Sequence, residues 1–258
     1  MNDLSSSTPF GVGRVIQQTF ALFFARFSTL FPMAFVPALA LTLLSLASPG
    51  FAPPPVPVES GADVAAALPE MPSFGAFVTG VLGTVLSFFV VGFLCLVALD
   101  AVIGRSHTVG QYARQAARHI LPIGVLGFLV AILTGIGALL LVVPGLYVAA
   151  RFLPWVEAVV FEDAGWRGLG RAQELTEGYR WPLVGAVLAM MAVIVALAMF
   201  ASAALFATQG SFLLALLVES LISAVFYMLF AIFTALVYAR LREIKEGKTV
   251  AEIAASIG

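Results

Sequence analysis

The stretch "PLVGAVLAMMAVIVALAMFASAALFA", residues 182–207, decides the fold class, because it contains no charged residue and a single hydroxyl. About 20 consecutive apolar residues are enough for a helix to cross a bilayer. Soluble domains carry about 25% charged residues, whereas this chain of 258 residues carries 10% and is 61% hydrophobic. The composition excludes an ordinary soluble domain and predicts an integral membrane protein.

Five other stretches meet the same length criterion, so we predict an all-α, polytopic membrane protein with six transmembrane helices. We expect prolines to break the first span and a tight Pro-Gly turn to join the third and fourth. The predicted spans are roughly Leu22–Leu46 (with Pro32 and Pro37), Ala76–Ile103, Ile120–Val143, Leu146–Phe161, Pro182–Ala207 and Phe212–Tyr238.

The basic residues fall on one side of this six-span layout. Twelve of the 13 Lys and Arg residues do so, and Arg151 is the exception. The links on the other side contain Glu59, Asp63 and Glu70 and no basic residue. Because basic residues are retained in the cytoplasm, we predict a multi-pass plasma-membrane protein with both termini cytoplasmic.

Three stretches share one layout, in which a Gln, then a basic residue, then a proline precede a pair of spans. The basic residues are Arg26, Arg118 and Arg180. We predict three pseudo-repeated units, approximately 9–103, 108–161 and 163–240, each a cytoplasmic interfacial helix followed by a membrane hairpin. They form a single membrane domain over 1–258, with residues 241–258 as a cytoplasmic tail.

The predicted interfacial segments are basic on one face. Their arginines have the spacing and chemistry to hold lipid headgroups through charge-assisted hydrogen bonds. The alternative is that they set the membrane topology and lie at the headgroup level without specific binding. The candidate headgroup residues are Arg114, Arg118, Arg167, Arg171 and Arg180.

Four charged residues, Asp100, Arg151, Glu157 and Glu219, stand out because they lie within or at the edges of predicted spans. A charge at the bilayer centre costs roughly 2.5–3.5 kcal/mol, so each should have a partner. At 1.5 Å per residue, Arg151 lies about 9 Å and Glu219 about 12 Å from the outer ends of their spans. We therefore predict an Arg151–Glu219 ion pair, with Glu157 deeper and in reach of Arg118, Arg180 or Tyr227. The charges would either staple helices together or line a polar cavity.

No catalytic or metal-binding pattern stands out. His107 and His119 have no ligand-spaced neighbours, and the single cysteine, Cys95, is expected to be a small packed or lipid-facing residue. Glu162 and Asp163 are explained by their position before a helix. We expect no metal, no cofactor and no enzymatic activity.

One segment resembles a known family. The string "LLLVVPGLYVAARFLPWVEAVVFEDAGWRGLGRAQELTEGYRWPLVG", residues 139–185, is similar to the bacterial membrane domain attached to some glycerophosphoryl diester phosphodiesterases and to its stand-alone relatives. Residues 10–31 resemble the opening helix of that domain. The usual Ser of the pattern is Ala172 here, so no role of that hydroxyl carries over. The matching residues are Pro144, Gly145, Arg151, Pro154, Glu162, Arg171, Leu175, Thr176 and Gly178.

In the fused relatives, catalysis belongs to a separate soluble barrel, so the resemblance implies a membrane domain without its enzyme. We expect a non-enzymatic protein that contacts membrane lipids or serves as a subunit or scaffold alongside other membrane proteins, with no nucleic-acid partner. The alternative is a transporter or lipid-moving protein with a cavity around Arg151, Glu157 and Glu219. A membrane-embedded hydrolase is the least favoured class.

Overall fold

A computed structural model of the chain describes residues 10–46, 74–103, 107–208 and 211–247, together with residue 252. Within these ranges every regular element is helical. Our predictions for the link at 47–73 lie outside the described residues. The helices are α1 (Val12–Ala25), α2 (Phe27–Leu46), α3 (Phe74–Ile103), α4 (Val109–Arg118), α5 (Ile120–Leu140), α6 (Val142–Phe152), α7 (Trp155–Phe161), α8 (Gly168–Thr176), α9 (Arg180–Ala207) and α10 (Phe212–Glu246).

Six helical segments are long and apolar enough to cross a membrane, as the sequence predicts. They are α2, α3, α5, the α6–α7 pair, α9 and α10. Short helices precede three of these segments: α1 lies before α2, α4 before α5, and α8 before α9. The relation of these short helices to a membrane surface and to an internal repeat stays a prediction. Gln111 and Gln173, which match in the repeat, make different contacts: Gln111 accepts from the Thr108 backbone N–H, and Gln173 from Arg151.

Two predictions about proline are wrong. Pro32 and Pro37 lie inside the continuous helix α2 instead of breaking it, as occurs in membrane helices when neighbours accommodate the freed backbone groups. Pro144 and Gly145 lie in the first turn of α6, and the connection to α5 is the extended residue Leu141. A first-turn proline removes no helical hydrogen bond, because the first N–H groups of a helix have no partner within it.

Helix α10 is the centre of the bundle and contacts α1, α2, α3, α7, α8 and α9. It continues to Glu246, beyond the predicted end at Tyr238, and Leu241 and Arg242 are buried. The start of the predicted tail therefore belongs to the packed helix. We call the end of the bundle that holds α4, α8 and the last turns of α10 the basic end, and the other the opposite end.

The core is densest toward the basic end. All of α7 is buried, as are most of the second half of α3 and residues Met228–Leu241 of α10 with few exceptions. Toward the opposite end, large apolar side chains are exposed on α5, α9 and α10, including Leu139, Phe206 and Leu213. Apolar surface of this extent suits contact with lipid.

The α5–α6 hairpin depends on close backbone approach. A Cβ atom added to Gly145 would lie 2.7 Å from the backbone nitrogen of Ala138, and one added to Gly137 would lie 3.0 Å from the Cα of Gly145. Small residues allow such helix contacts in membranes.

Gly145→Ala should therefore destabilise the protein by about 1–3 kcal/mol, because the new methyl group meets backbone that cannot yield. Gly135→Ala is the matched control on α5, since nothing lies within 4 Å of its added Cβ. Thermal unfolding of both variants in the same detergent gives the comparison. Equal melting temperatures for the two variants would contradict this account of the hairpin.

Candidate functional site

Arg151 lies in the last turn of α6 and contacts helix α8. Its Nη2 donates to Gln173 Oε1 at 2.5 Å, and its guanidinium lies 5.7 Å from the centre of the Phe152 ring. The backbone carbonyl of Arg151 accepts a hydrogen bond from Thr176 Oγ1 at 2.9 Å. Arg151 and Thr176, both within the segment 139–185, are thus in direct contact.

The predicted Arg151–Glu219 ion pair is not formed. Arg151 binds Gln173, and Glu219 lies in a separate cleft between α2, α3 and α10. Helix α6 packs against α5, α8 and α9. Similar depth in the membrane was the basis of the prediction, but two residues at one depth meet only if their helices are neighbours.

Arg180, at the start of α9, reaches the same helix one turn earlier. Its Nη1 donates to the Tyr147 hydroxyl at 3.0 Å, and its guanidinium lies 5.9 Å from the centre of the Tyr147 ring. Arg180 and Arg151 have no carboxylate partner within the described ranges, and the Nε atom of each is buried without a hydrogen bond. The guanidinium of Arg180 therefore contacts Tyr147, and its role as a headgroup ligand stays a prediction.

Glu157 is completely buried in α7. Cys95 Sγ donates to Glu157 Oε1 at 3.3 Å and lies 3.4 Å from Thr234 Oγ1, while Glu157 Oε2 has no partner. Arg118, Arg180 and Tyr227 were predicted to be within reach of Glu157, but none of them forms a hydrogen bond or ion pair with it. The three charges that were predicted to share a cavity occupy three different environments.

A network of ion pairs joins α8 to the end of α10. Arg171 Nε donates to Glu162 Oε2 at 2.6 Å, and its Nη2 donates to Glu246. Tyr238 donates to Glu162 Oε1 at 2.8 Å, and Arg242 Nη2 donates to Glu246 Oε2 at 2.9 Å. Burial lowers the pKa of Arg171, but its bonds to Glu162 and Glu246 outweigh burial and leave the pKa raised. The charge of Arg171 is thus matched by two carboxylates, and its role as a headgroup ligand stays a prediction.

Both histidines contact carboxylates. His119 Nε2 lies 2.5 Å from Asp163 Oδ1, and His107 Nδ1 lies 2.5 Å from Asp100 Oδ2. The Tyr112 hydroxyl donates to the same Asp100 oxygen at 2.7 Å, and burial together with this carboxylate raises the pKa of Tyr112 to about 12. These contacts tie α4 to its neighbours. Among the residues that the structure describes, no group of three His, Cys, Asp or Glu could hold a metal ion.

A cavity of about 610 Å³ opens at the basic end between α4 and the chain after α7. Arg114 and Arg118, one helical turn apart, line it with exposed side chains. No described carboxylate forms an ion pair with either arginine. Arg167, the fifth predicted headgroup ligand, is exposed outside this cavity. The other lining residues are Gln111, Gln115, His119, Val160, Phe161, Glu162, Asp163 and Arg242.

A second cavity, of about 310 Å³, lies toward the opposite end between α2, α3 and α10. We call it the Glu219 cleft. Among the residues that the structure describes, Glu219 is the one charged residue that lines it, and hydroxyl groups supply most of the other polar surface. We did not predict this cleft, although the sequence carries a signal for it: Glu219, Ser223 and Tyr227 follow each other at four-residue spacing on one face of α10. The hydroxyl residues lining the cleft are Thr42, Ser45, Thr79, Thr84, Ser87, Ser223 and Tyr227.

Arg171→Met should destabilise the protein by about 1–3 kcal/mol, because Glu162 and Glu246 lose a charged hydrogen-bond donor at a half-buried position. Arg167→Met is the matched control, an exposed arginine just before the same helix, and should change stability by less than about 0.5 kcal/mol. Melting temperatures in detergent measure both effects. A loss of equal size in the two variants would show that the network adds no stability.

No family model, curated protein or solved structure matches the chain. The site is accordingly interpreted from its own geometry.

Proposed function

We propose that the protein is a non-enzymatic membrane protein that binds the anionic headgroup of a membrane lipid at its basic end. The observation that carries this proposal is the pair Arg114 and Arg118, both exposed, both lining the cavity of about 610 Å³, and both without a carboxylate partner among the described residues. Guanidinium groups match the geometry of phosphate oxygens and bind them with charge-assisted hydrogen bonds.

The acidic residues of the cavity do not cancel this charge. Glu162 is bound by Arg171 and Tyr238, and Asp163 lies against His119. Their negative charge is thus shared with partners outside the arginine pair. Arg114 and Arg118 also lie on α4, directly before the apolar helix α5, which would place them at the headgroup level of a membrane.

The orientation that fits this proposal puts the basic end in the cytoplasm of a bacterial cell, at the inner leaflet of the inner membrane. The resemblance of residues 139–185 to the phosphodiesterase-associated membrane domain stays a part of this proposal, and it implies a membrane domain without its enzyme. A role as subunit or scaffold of a membrane assembly would use the same lipid contacts.

The double variant Arg114→Gln/Arg118→Gln should retain at least about tenfold less anionic lipid after purification in mild detergent, because both guanidinium donors are lost. Lipid mass spectrometry and binding to phosphatidylglycerol nanodiscs measure the effect. Arg14→Gln/Arg26→Gln is the matched control, since it removes two exposed arginines that do not line the cavity. Equal loss in both pairs would mean that the arginines act by general charge and topology alone.

The second candidate is a transporter or lipid-moving protein that uses the Glu219 cleft. A polar cleft that reaches from one end of the bundle toward mid-membrane favours it, and an intramembrane carboxyl is a common element of ion and proton pathways. In contrast to the expectation from sequence, neither Arg151 nor Glu157 lines this cleft.

If the cleft holds water, Ser87→Cys should react with a membrane-impermeant maleimide added from the side of the opposite end. Ser202→Cys, on the exposed surface of α9, is the control and should stay unlabelled because it faces lipid. The wild-type chain supplies the background, since its single cysteine, Cys95, is buried. Absence of labelling at position 87 would remove the support for a transport pathway here.

A further inference from the structure

We propose that the Glu219 cleft binds a primary ammonium group. The ammonium group would be the ligand of the same cleft that the second candidate function, transport, would use. Its binding requires neither transport nor headgroup binding at the basic end.

The first support is charge. Glu219 is exposed in the cleft, and the described residues offer it no hydrogen bond or ion pair. The sequence places no Lys or Arg in α2, in α3, or in α10 before Arg240. A carboxylate at this depth is costly without a counter-charge, and the three helices that form the cleft provide none. A cationic ligand would supply it.

The second support is the direction of the hydroxyl protons. Five hydroxyls of the cleft donate to carbonyl oxygens of their own helices, those of Thr42, Ser45, Thr79, Thr84 and Ser87. The Tyr227 hydroxyl donates to Ser87 Oγ at 3.1 Å. These groups therefore present oxygen lone pairs to the cleft, and Ser223 is the one lining hydroxyl whose proton is not committed to a described acceptor.

A cleft with a carboxylate and many acceptors selects a ligand that carries positive charge and N–H donors. An anion would meet like charge and few donors. A quaternary ammonium has no N–H, and Tyr227 is the single aromatic residue among the described lining residues, which therefore form no aromatic cage of the kind such ions favour. A primary ammonium, with three donors, fits both features.

The volume limits the size of the ligand. About 310 Å³ is at the lower end of small-molecule pockets, which suits a small amine or a single headgroup and excludes a whole lipid. The same ammonium chemistry comes from two sources, a soluble amine or the ethanolamine headgroup of a lipid in the adjoining leaflet.

The test uses the full chain in detergent, with no gradient across a membrane, so that binding is measured separately from transport. Calorimetric titration compares ethanolamine hydrochloride, tetramethylammonium chloride and sodium phosphate. Native mass spectrometry compares phosphatidylethanolamine, phosphatidylcholine and phosphatidylglycerol. We expect ethanolamine or phosphatidylethanolamine to bind at least about tenfold more tightly than the quaternary and anionic probes. Binding of free ethanolamine identifies a soluble amine as the source, and binding of the lipid alone identifies the headgroup.

Glu219→Gln should weaken this binding by about tenfold or more, because it keeps the shape of the side chain and removes its charge. Glu177→Gln, an exposed glutamate on the turn after α8, is the control and should bind as the wild type does. Thr84→Val removes one acceptor at nearly constant volume and should weaken binding by a smaller factor. Equal affinity for primary and quaternary ammonium, binding of neither ethanolamine nor its lipid, or unchanged affinity in Glu219→Gln would each overturn the proposal.

Discussion

The break between α6 and α7 is the constraint on which the basic end of the molecule depends. Pro154 has no N–H, so the carbonyl of Ala150 loses its usual helical donor, and the helix ends at Phe152. Inside a membrane, backbone groups freed in this way must be satisfied by the protein itself. The structure meets this need locally: the Leu153 N–H donates to Ala150, and Thr176 Oγ1 donates to the carbonyl of Arg151.

That hydrogen bond is one of several contacts that hold α8 against the break, and Thr176 Oγ1 lies equally close, 2.9 Å, to the carbonyl oxygen of Ala172 in its own helix. Gly168 allows α8 to begin directly on α7, because a Cβ there would lie 2.3 Å from a methyl carbon of Val159. With α8 in place, Gln173 reaches Arg151 and Arg171 reaches Glu162 and Glu246. The short segment that the sequence marks as unusual thus lies where α6, α7 and α8 meet.

The six spans could be predicted because they depend on local composition, as residues 182–207 illustrate. The partner of Arg151 and the cleft position of Glu219 could not be predicted, because both depend on which helices are neighbours. Similar depth suggested a pair, yet α8 and α9 lie beside α6, and α10 lies beside α2 and α3. The headgroup role of the α4 arginines stays a prediction. The ion pair of Arg171 with Glu246 was missed because Glu246 is distant in the chain. The Glu219 cleft was within reach of sequence, since its residues on α10 repeat at helical spacing.

The polar residues of α10 lie on one face of the helix, along which an ion would have to pass to cross the bundle. Glu219, Ser223, Tyr227, Thr234, Tyr238 and Arg242 fall within an arc of about 140° at 100° per residue. This face runs from the Glu219 cleft to the ion-pair network, but the apolar residues Phe230 and Ala231 interrupt it; Ala231 is buried and Phe230 is partly buried. Cys95 and Glu157 contact the face just beyond the interruption, around Thr234. The described core between Tyr227 and Thr234 is filled by apolar side chains, so a transported ion would require these helices to separate there. Glu157, whose Oε2 lacks a partner in the described core, lies next to this filled region through its contact with Cys95.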